Sequence, residues 1–230
     1  MQLKVLSWNI WINGYFDEVV NFLKKSQADI IGLQEIVDNN PKRNVIKTLK
    51  EEGYESFFGS VEHSWGGKVY RDGPAIFSKH KIAKAETYVL SENDKRAAVR
   101  ADIIIGDKTL HVFSTHLIHT HQKGSEEQDI QVSNLIKKLP TERALLMGDF
   151  NATPESSVIK SIQKVLVNSD PSFTPTWSVY PEGCRICNPQ KLDTCLDYIF
   201  TSKDLKTSEF KVENSKASDH LPISAILEVT

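Results

Sequence analysis

Residues 143–151 read Arg-Ala-Leu-Leu-Met-Gly-Asp-Phe-Asn, a short apolar run that opens directly into polar side chains. A continuous apolar run of this length is typical of a fully buried strand. Asp149 and Asn151 stand two positions apart and would share one face of an extended segment. Gly148 leaves room for the close approach of a substrate or a second backbone. The stretch therefore predicts a strand that delivers a carboxylate and an amide to the edge of a sheet.

Four other motifs repeat this arrangement along the chain. They are Ser7-Trp8-Asn9, Leu33-Gln34-Glu35, Thr115-His116-Leu117 and Ser218-Asp219-His220, and each follows or flanks an apolar run. Strand ends deliver side chains to a shared rim, so carboxylates, amides and two imidazoles would meet there. Such a set suits a phosphoester bound beside a cation that prefers oxygen ligands.

The periodicity of the remaining chain predicts more strands than helices. Helices are expected at 15–25, 44–52, 124–139 and 155–165, and strands at 3–9, 28–33, 55–58, 75–78, 87–90, 98–105, 109–115, 143–147, 196–201, 209–213 and 223–229. Few strand–helix–strand (βαβ) units can be identified in this order. The pattern favours two mostly antiparallel sheets packed face to face with helices on their outer faces, in a single domain of residues 1–230.

Composition restricts the partners. The chain has 230 residues and a formal net charge of −2, which gives no global attraction to polyanions and favours short or single-stranded over extended duplex nucleic acid. A local basic rim can still form, and Arg71 is its candidate substrate contact. No signal peptide or membrane-length apolar stretch is visible, so we expect a cytoplasmic protein, and a monomer.

Three cysteines occur late in the chain, at positions 184, 187 and 195. Cys184 and Cys187 have the spacing of a zinc-binding pair and would need Cys195 and one further ligand. Reduced thiols on a loop and a transient disulfide are the alternatives. His119 and His121 are interpreted as structural histidines, although they lie close to His116 in the sequence.

Two carboxylate motifs carry the expected chemistry. Glu35, at the exit of an apolar strand, can bind a cation together with the Asn9 amide oxygen, since Mg²⁺ uses few protein carboxylates and keeps several waters. Asp149 can accept a proton from an attacking water, and Asn151 can orient that water or hold a phosphate oxygen.

Two histidines are the expected proton donors. His116 and His220 can neutralise charge on phosphate oxygens. Asp197 interrupts an apolar strand and so needs a partner, which makes it the candidate to orient His220. Trp177 is a candidate stacking platform for a base, or a packing residue of its loop.

The ordered motifs resemble the endonuclease/exonuclease/phosphatase superfamily over essentially the whole chain. Gly73-Pro74-Ala75-Ile76-Phe77-Ser78 and Leu196-Asp197-Tyr198-Ile199-Phe200 complete the set. The resemblance implies an α+β, four-layer αββα sandwich and dependence on Mg²⁺ or Mn²⁺. By motif position, it implies Asn9, Glu35 and Asp219 at the metal, His116 on the phosphate, Asp149 and Asn151 around the nucleophilic water, and His220 paired with Asp197. It leaves open whether one or two metals act, and whether Asp149 is a base or an acid.

The substrate is less sharply indicated. Cys195-Leu196 stands where repair-type relatives carry Trp-Arg, which argues against an abasic-site endonuclease. The Leu-Asp-Tyr-Ile-Phe form looks more like deadenylases and general phosphodiesterases. We expect a nucleic acid or nucleotide phosphodiester as substrate. The alternatives are a phospholipid head-group diester, a phosphomonoester, and an inactive phosphate-binding scaffold.

Overall fold

The structure is a computed structural model that describes residues 1–38, 40–65 and 67–229. Its strands within those ranges are β1 (Gln2–Asn9), β2 (Ile30–Val37), β3 (Glu55–Phe58), β4 (Val61–Trp65), β5 (Lys68–Ser78), β6 (Ile82–Val89), β7 (Ala97–Ile105), β8 (Lys108–His116), β9 (Ala144–Asp149), β10 (Val167–Asn168), β11 (Asp197–Thr201), β12 (Lys206–Val212) and β13 (Ile223–Glu228). The helices are α1 (Phe16–Ser26), α2 (Val45–Glu51), α3 (Glu126–Ile136) and α4 (Ser157–Gln163).

The strands form two sheets. The first has the order β12-β13-β1-β2-β5-β3, with β4 also paired to β5, and the second has the order β10-β11-β9-β8-β7-β6. The pairs β1–β2 and β8–β9 are parallel, while the other pairs in the described chain are antiparallel. The parallel pairs lie in the middle of each sheet, so their carboxyl ends meet at one edge of the sandwich.

Three apolar clusters show the layering. The cluster between the sheets joins Val5 and Ile223 of the first sheet to Val99 and Leu145 of the second. A second cluster packs α1 and α2, through Leu23 and others, on the outer face of the first sheet. A third packs α3 and α4 on the outer face of the second sheet. Three buried interfaces require four layers, so the predicted α+β, αββα sandwich is confirmed.

The helices obey local sequence rules. α1 buries one apolar stripe, has two acidic residues in its first turn and has two lysines in its last turn, which suits the helix dipole. In α3 the Ser125 side chain caps the helix by accepting from the Gln128 amide. All four predicted helices are present. α1 has the predicted length but lies one residue further along the chain, and the other three are shorter than predicted because the chain at their ends leaves helical geometry for caps and turns.

The strand prediction omitted β4 and β10. It also began β5 at Ala75 instead of Lys68, β6 at Thr87 instead of Ile82 and β12 at Glu209 instead of Lys206. The early part of β5 is largely exposed and pairs with β4 in a ribbon outside the core, so no apolar alternation marks it. The single-domain organisation stays a prediction. None of the helices in the described ranges is long and apolar enough to cross a membrane.

Candidate active site

Strand register places three site residues side by side in the second sheet. His116 ends β8 and pairs with Asp149 at the end of β9. Asp149 in turn pairs with Asp197 at the start of β11. Gly148 has a φ of +152°, and a Cβ added there would lie 2.1 Å from the Thr115 carbonyl oxygen. The glycine is therefore required by the neighbouring backbone, which is one of the two close approaches predicted for it.

Two imidazoles converge on one carboxylate oxygen. His116 Nε2 lies 3.4 Å and His220 Nε2 lies 3.6 Å from Asp149 Oδ2. On its other side, His220 Nδ1 lies 2.8 Å from Asp197 Oδ2. All four side chains are buried. The ligand atoms of Asp149, Asp197 and His220 also lie within 4.8 Å of one another, close enough to hold a cation.

The buried charges alter the protonation of this cluster. Burial alone would lower the pKa of His220, but the charges of Asp197, Asp149 and Asp219 outweigh it and raise that pKa well above its ordinary value. Burial also raises the pKa of Asp149, against the opposing charge of His220. The neighbouring carboxylates therefore favour the imidazolium form of His220, and burial favours the protonated form of Asp149.

His220 is positioned by residues from both ends of the chain. The Trp8 indole donates to the His220 carbonyl at 2.9 Å, and the Ser218 hydroxyl donates to the Asn9 carbonyl at 2.7 Å. Asp197 Oδ2 also accepts from the Thr176 hydroxyl at 2.7 Å. These contacts fix the loop before β13 against the end of β1.

The first sheet presents Glu35 through a local irregularity. The pairing of β2 with β5 shifts between Leu33 and Ile36, and Glu35 adopts a left-handed φ of 60°. Bulges of this kind redirect a side chain near functional sites. Glu35 Oε2 accepts from the Ile12 amide at 2.9 Å, which holds the carboxylate at the rim.

Asn9 joins the two sheets. Its Nδ2 donates to Glu35 Oε1 and to Asp149 Oδ2, both at 3.0 Å. Its Oδ1 accepts from the Trp11 amide at 3.0 Å. In this arrangement Asn9 positions two carboxylates, and its role as a metal ligand stays a prediction.

Asn151 does not share a strand face with Asp149. β9 ends at Asp149, and Asn151 lies beyond it with a left-handed φ of 48°. The Asn151 amide donates to Asp149 Oδ1 at 2.8 Å, closing a turn. The α3 residue Gln128 then holds this turn by donating to the carbonyls of Phe150 and Asn151. The shared-face expectation was wrong because the chain turns immediately after the strand.

Two charged residues were missed by the sequence analysis. Asp72 and Arg96 are buried and line the same cavity as Glu35. Burial, together with the charge of Glu35, raises the pKa of Asp72 to about 7, with Arg96 opposing. Asp72 stands in an Arg-Asp-Gly-Pro stretch that predicts a turn, and no local pattern marks either residue as part of a site.

Asp219 and Trp177 lie together on the cavity wall. The Trp177 indole donates to Asp219 Oδ2 at 3.2 Å and is almost completely buried. Burial raises the pKa of Asp219 to about 6, against the opposing charge of His220. The contact makes Trp177 a support for Asp219, while base stacking by Trp177 stays a prediction.

A cavity of about 450 Å³, a size that suits a small ligand, lies among these groups. Asn9 and Asp197 are not among its lining residues, which include Glu35, Asp72, Arg96, His116, Asp149, Asn151, Trp177, Asp219 and His220. The cavity residues Trp11, Glu35, His121 and Asn151 all have left-handed φ angles. Strained backbone of this kind concentrates at functional sites. The candidate substrate residue Arg71 lies outside the cavity, on the exposed part of β5, 3.6 Å from Asp38.

The cavity fits a divalent cation. The charge of Glu35 adds to burial in raising the pKa of Asp72 and of Asp219, so negative charge is concentrated in this part of the cavity. Like charges held together in a buried site are stabilised by a cation, and oxygen ligands favour Mg²⁺ or Mn²⁺. The donor set therefore agrees with the metal implied by the motifs.

A family model described as endonuclease/exonuclease/phosphatase matches residues 6–220. The chain belongs to that family. The activities in the family's name, endonuclease, exonuclease and phosphatase, all act on phosphate esters. No curated protein matches the chain.

Solved structures share the fold at low identity. A family protein from Beutenbergia cavernae has a TM-score of 0.82 and 19% identity, covering 99% of this chain and 72% of its own. The catalytic domain of human Nocturnin, with bound sulfate, has a TM-score of 0.71 and 20% identity, covering 100% and 95%. ANGEL2, a 2',3'-cyclic phosphatase in complex with adenosine-2',3'-vanadate, has a TM-score of 0.73 and 16% identity, covering 99% and 95%.

Proposed function

We propose that the protein is a divalent-metal-dependent phosphodiesterase that hydrolyses its substrate by direct attack of water on phosphorus. The main support is the convergence of His116 and His220 on Asp149, in the cavity that the carboxylates of Glu35, Asp72 and Asp219 also line. The cavity thus offers proton donors to phosphate oxygens and oxygen ligands to a cation. This combination suits a phosphoryl group in transfer.

Each residue has a proposed role. His220, kept protonated by its carboxylate neighbours, donates to a phosphoryl oxygen. His116 donates to a second one. Asp149 exchanges a proton with the attacking water or the leaving oxygen, and Asn151 holds the turn that orients it. Glu35 and Asp219, with Asp72 nearby, would hold Mg²⁺ or Mn²⁺, which when bound stabilises charge on the phosphoryl oxygens.

For the substrate we propose a nucleotide or short single-stranded nucleic acid. The half-buried Trp11 lines the cavity and stacks on Tyr180, with ring centroids 6.0 Å apart and planes 19° apart. An aromatic pair at the rim suits stacking of a base. The phosphate of such a substrate would lie inside, near Arg96, whose buried Nε makes no hydrogen bond among the described residues and lies 3.7 Å from Asp94 Oδ1.

The proposal includes a cytoplasmic monomer built as one domain. Free thiols are typical of a reducing compartment, and the three cysteines are unpaired. Light scattering coupled to size exclusion tests the monomer.

The activity is tested with bis-p-nitrophenyl phosphate in the presence of Mg²⁺ or Mn²⁺. Turnover should vanish on exhaustive chelation and return with either metal. Asp149→Asn should abolish it. Asp102→Asn is the matched control, since Asp102 also pairs with a histidine, His111, at 2.7 Å but lies outside the cavity. Turnover that survives chelation would refute the metal requirement.

A substrate panel distinguishes the remaining possibilities. Single-stranded DNA, RNA, a 2',3'-cyclic nucleotide, a nucleoside monophosphate and sphingomyelin vesicles are compared at equal enzyme concentration. Cleavage of a nucleotide diester is expected to be fastest. Cleavage of the lipid alone would replace the proposal with a head-group phosphodiesterase, and cleavage of the monoester alone with a phosphatase. No turnover of any substrate would favour a phosphate-binding scaffold.

A further inference from the structure

A second cluster of ligating side chains lies beside the catalytic residues. It consists of His119, His121, Cys184 and Cys187, which come from the segment after β8 and from the long segment before β11. One ligand atom from each lies within 4.8 Å of the other three. Cys195, the third cysteine, is not a member, since it packs in the apolar cluster beneath the second sheet.

The distances are those of a tetrahedron around a small cation. His119 Nε2 lies 3.1 Å from His121 Nδ1. Cys187 Sγ lies 3.6 Å from His119 Nε2 and 3.4 Å from His121 Nδ1, and Cys184 Sγ lies 3.4 Å from His121 Nδ1. Zinc at about 2.0–2.1 Å from nitrogen and about 2.3 Å from sulfur gives N–N and N–S edges of about 3.3 and 3.6 Å. The side chains are therefore already arranged at ligand spacing.

Surrounding contacts orient the ligands. His119 Nδ1 lies 2.7 Å from Asn151 Oδ1, so it carries the proton and leaves the Nε2 lone pair facing the cluster. The Cys187 amide lies 3.0 Å from Cys184 Sγ and donates to it, which would stabilise a thiolate. A ligating histidine with its second nitrogen held by an oxygen is typical of metal sites.

We propose that His119, His121, Cys184 and Cys187 bind one structural Zn²⁺. Four protein ligands close the coordination sphere, which is the arrangement of a structural site rather than a catalytic one. Such a link would hold the long segment between β10 and β11, whose own apolar cluster is small and consists of Trp177, Cys184 and Leu196, with Cys187 packed against it. Zinc would bind this segment to the end of β8 and, through His119, support the Asn151 turn.

The cysteine spacing left three interpretations, namely a zinc site that includes Cys195, reduced thiols on a loop and a transient disulfide. In the proposed site the zinc ligands are two cysteines and two histidines, and Cys195 takes no part. A Cys184–Cys187 disulfide and zinc binding exclude each other, since zinc takes the thiolates. His119, His121 and Cys184 line the same cavity as the catalytic carboxylates, but the zinc ligands include none of those carboxylates, and zinc binding does not depend on the proposed phosphodiesterase activity.

Metal content gives the direct test. Tag-free protein purified under reducing conditions and dialysed against Mg²⁺ is analysed by inductively coupled plasma mass spectrometry. One zinc per chain is expected for the wild type and for Cys195→Ala, the matched control. Cys184→Ala and Cys187→Ala should lose it. No zinc in the wild type, or full retention in the Cys184→Ala/Cys187→Ala double variant, would overturn the proposal.

Cobalt substitution tests the site without a variant. Co²⁺ bound to two thiolates and two imidazoles gives sulfur-to-cobalt charge-transfer bands and intense tetrahedral d–d bands. Cobalt held only by the catalytic oxygen ligands would lack the charge-transfer bands, and that spectrum would overturn the assignment. A Cys184–Cys187 disulfide in non-reducing mass spectrometry of zinc-supplied protein would do the same.

Limited proteolysis tests the structural role. Arg185 and Lys191 are exposed trypsin sites in the segment that zinc would hold. Cleavage there should accelerate at least tenfold after removal of zinc and return to the original rate on its replacement. Equal rates with and without zinc would refute the structural role. Turnover of bis-p-nitrophenyl phosphate enters none of these readouts.

Discussion

Replacement of Asp197 by asparagine isolates the charge that acts on His220. Asp197 Oδ2 accepts from both His220 Nδ1, at 2.8 Å, and the Thr176 hydroxyl, at 2.7 Å. Asparagine can keep both bonds through its oxygen, so the volume and the acceptor remain. Its new NH₂ group would replace Oδ1, which is buried without a hydrogen-bond partner within the described chain. The substitution therefore removes a charge and adds an unsatisfied donor.

The expected loss follows from these contacts. A hydrogen bond to a charged group contributes about 1.5–3 kcal/mol, and the neutral replacement keeps about half of it. The unsatisfied amide costs about 1–3 kcal/mol if the asparagine oxygen keeps the position of Oδ2. If the amide rotates to avoid that cost, its NH₂ group faces His220 Nδ1 and selects the wrong tautomer of the imidazole. Since about 1.4 kcal/mol is a factor of ten, turnover should fall about 100-fold or more.

The pH profile distinguishes this mechanism from a general loss of structure. The pKa of His220 is raised chiefly by its carboxylate neighbours, so the contribution of the imidazolium is present at low pH and is lost as pH rises through the folded-state pKa. In Asp197→Asn the alkaline limb of kcat/KM for bis-p-nitrophenyl phosphate should move to lower pH. Asp102→Asn should leave the profile unchanged, and circular dichroism should confirm the fold of both variants.

A double-mutant cycle gives the decisive result. His220→Ala should cost at least as much as Asp197→Asn, and the double variant should cost little more than the worse single one, since the two residues act as a unit. Multiplicative losses would mean that they act independently. Wild-type turnover in Asp197→Asn would leave Asp197 as a structural residue only.

Three further outcomes are expected. Glu35→Gln should raise the Mg²⁺ concentration for half-maximal turnover at least tenfold, because it removes a ligand charge; a metal titration with unchanged midpoint would contradict the role of Glu35. The pKa of Asp72 is about 7 in the folded protein, which is above its value in the unfolded chain. Ionisation of Asp72 therefore lowers the free energy of unfolding of the metal-free protein as pH rises from about 4 to 7, by at most about 1.4 kcal/mol per pH unit. Asp72→Asn should therefore raise the melting temperature in chelator more at pH 8 than at pH 5, and an equal change at both would contradict the buried charge. Gly148→Ala should destabilise the fold by on the order of 3 kcal/mol in urea unfolding, because its Cβ would collide with the Thr115 carbonyl; unchanged stability would show that β8 and β9 can separate.

The local pattern was sufficient for the strands and helices that build the core. The apolar runs of β2 and β9 can be recognised in the sequence because both faces of a central strand are buried, so most positions before the polar end of each strand are apolar. The helices can be recognised because one face of each is buried and the other is exposed to solvent, so apolar residues recur at helical spacing. The motifs at the strand ends then indicated the family, since their order along the chain survives where overall similarity is low.

The tertiary structure decided what those motifs do to one another. Glu35 reaches the rim only through a bulge and a left-handed backbone, neither of which has a signal in Leu-Gln-Glu. Asp72 and Arg96 enter the cavity from segments that locally predict turns. His119 and Cys187 meet across 68 positions of the chain, so no spacing rule can pair them. Local sequence records which face of an element is buried, but contacts between distant segments depend on sheet order and register, which form only when the two sheets pack.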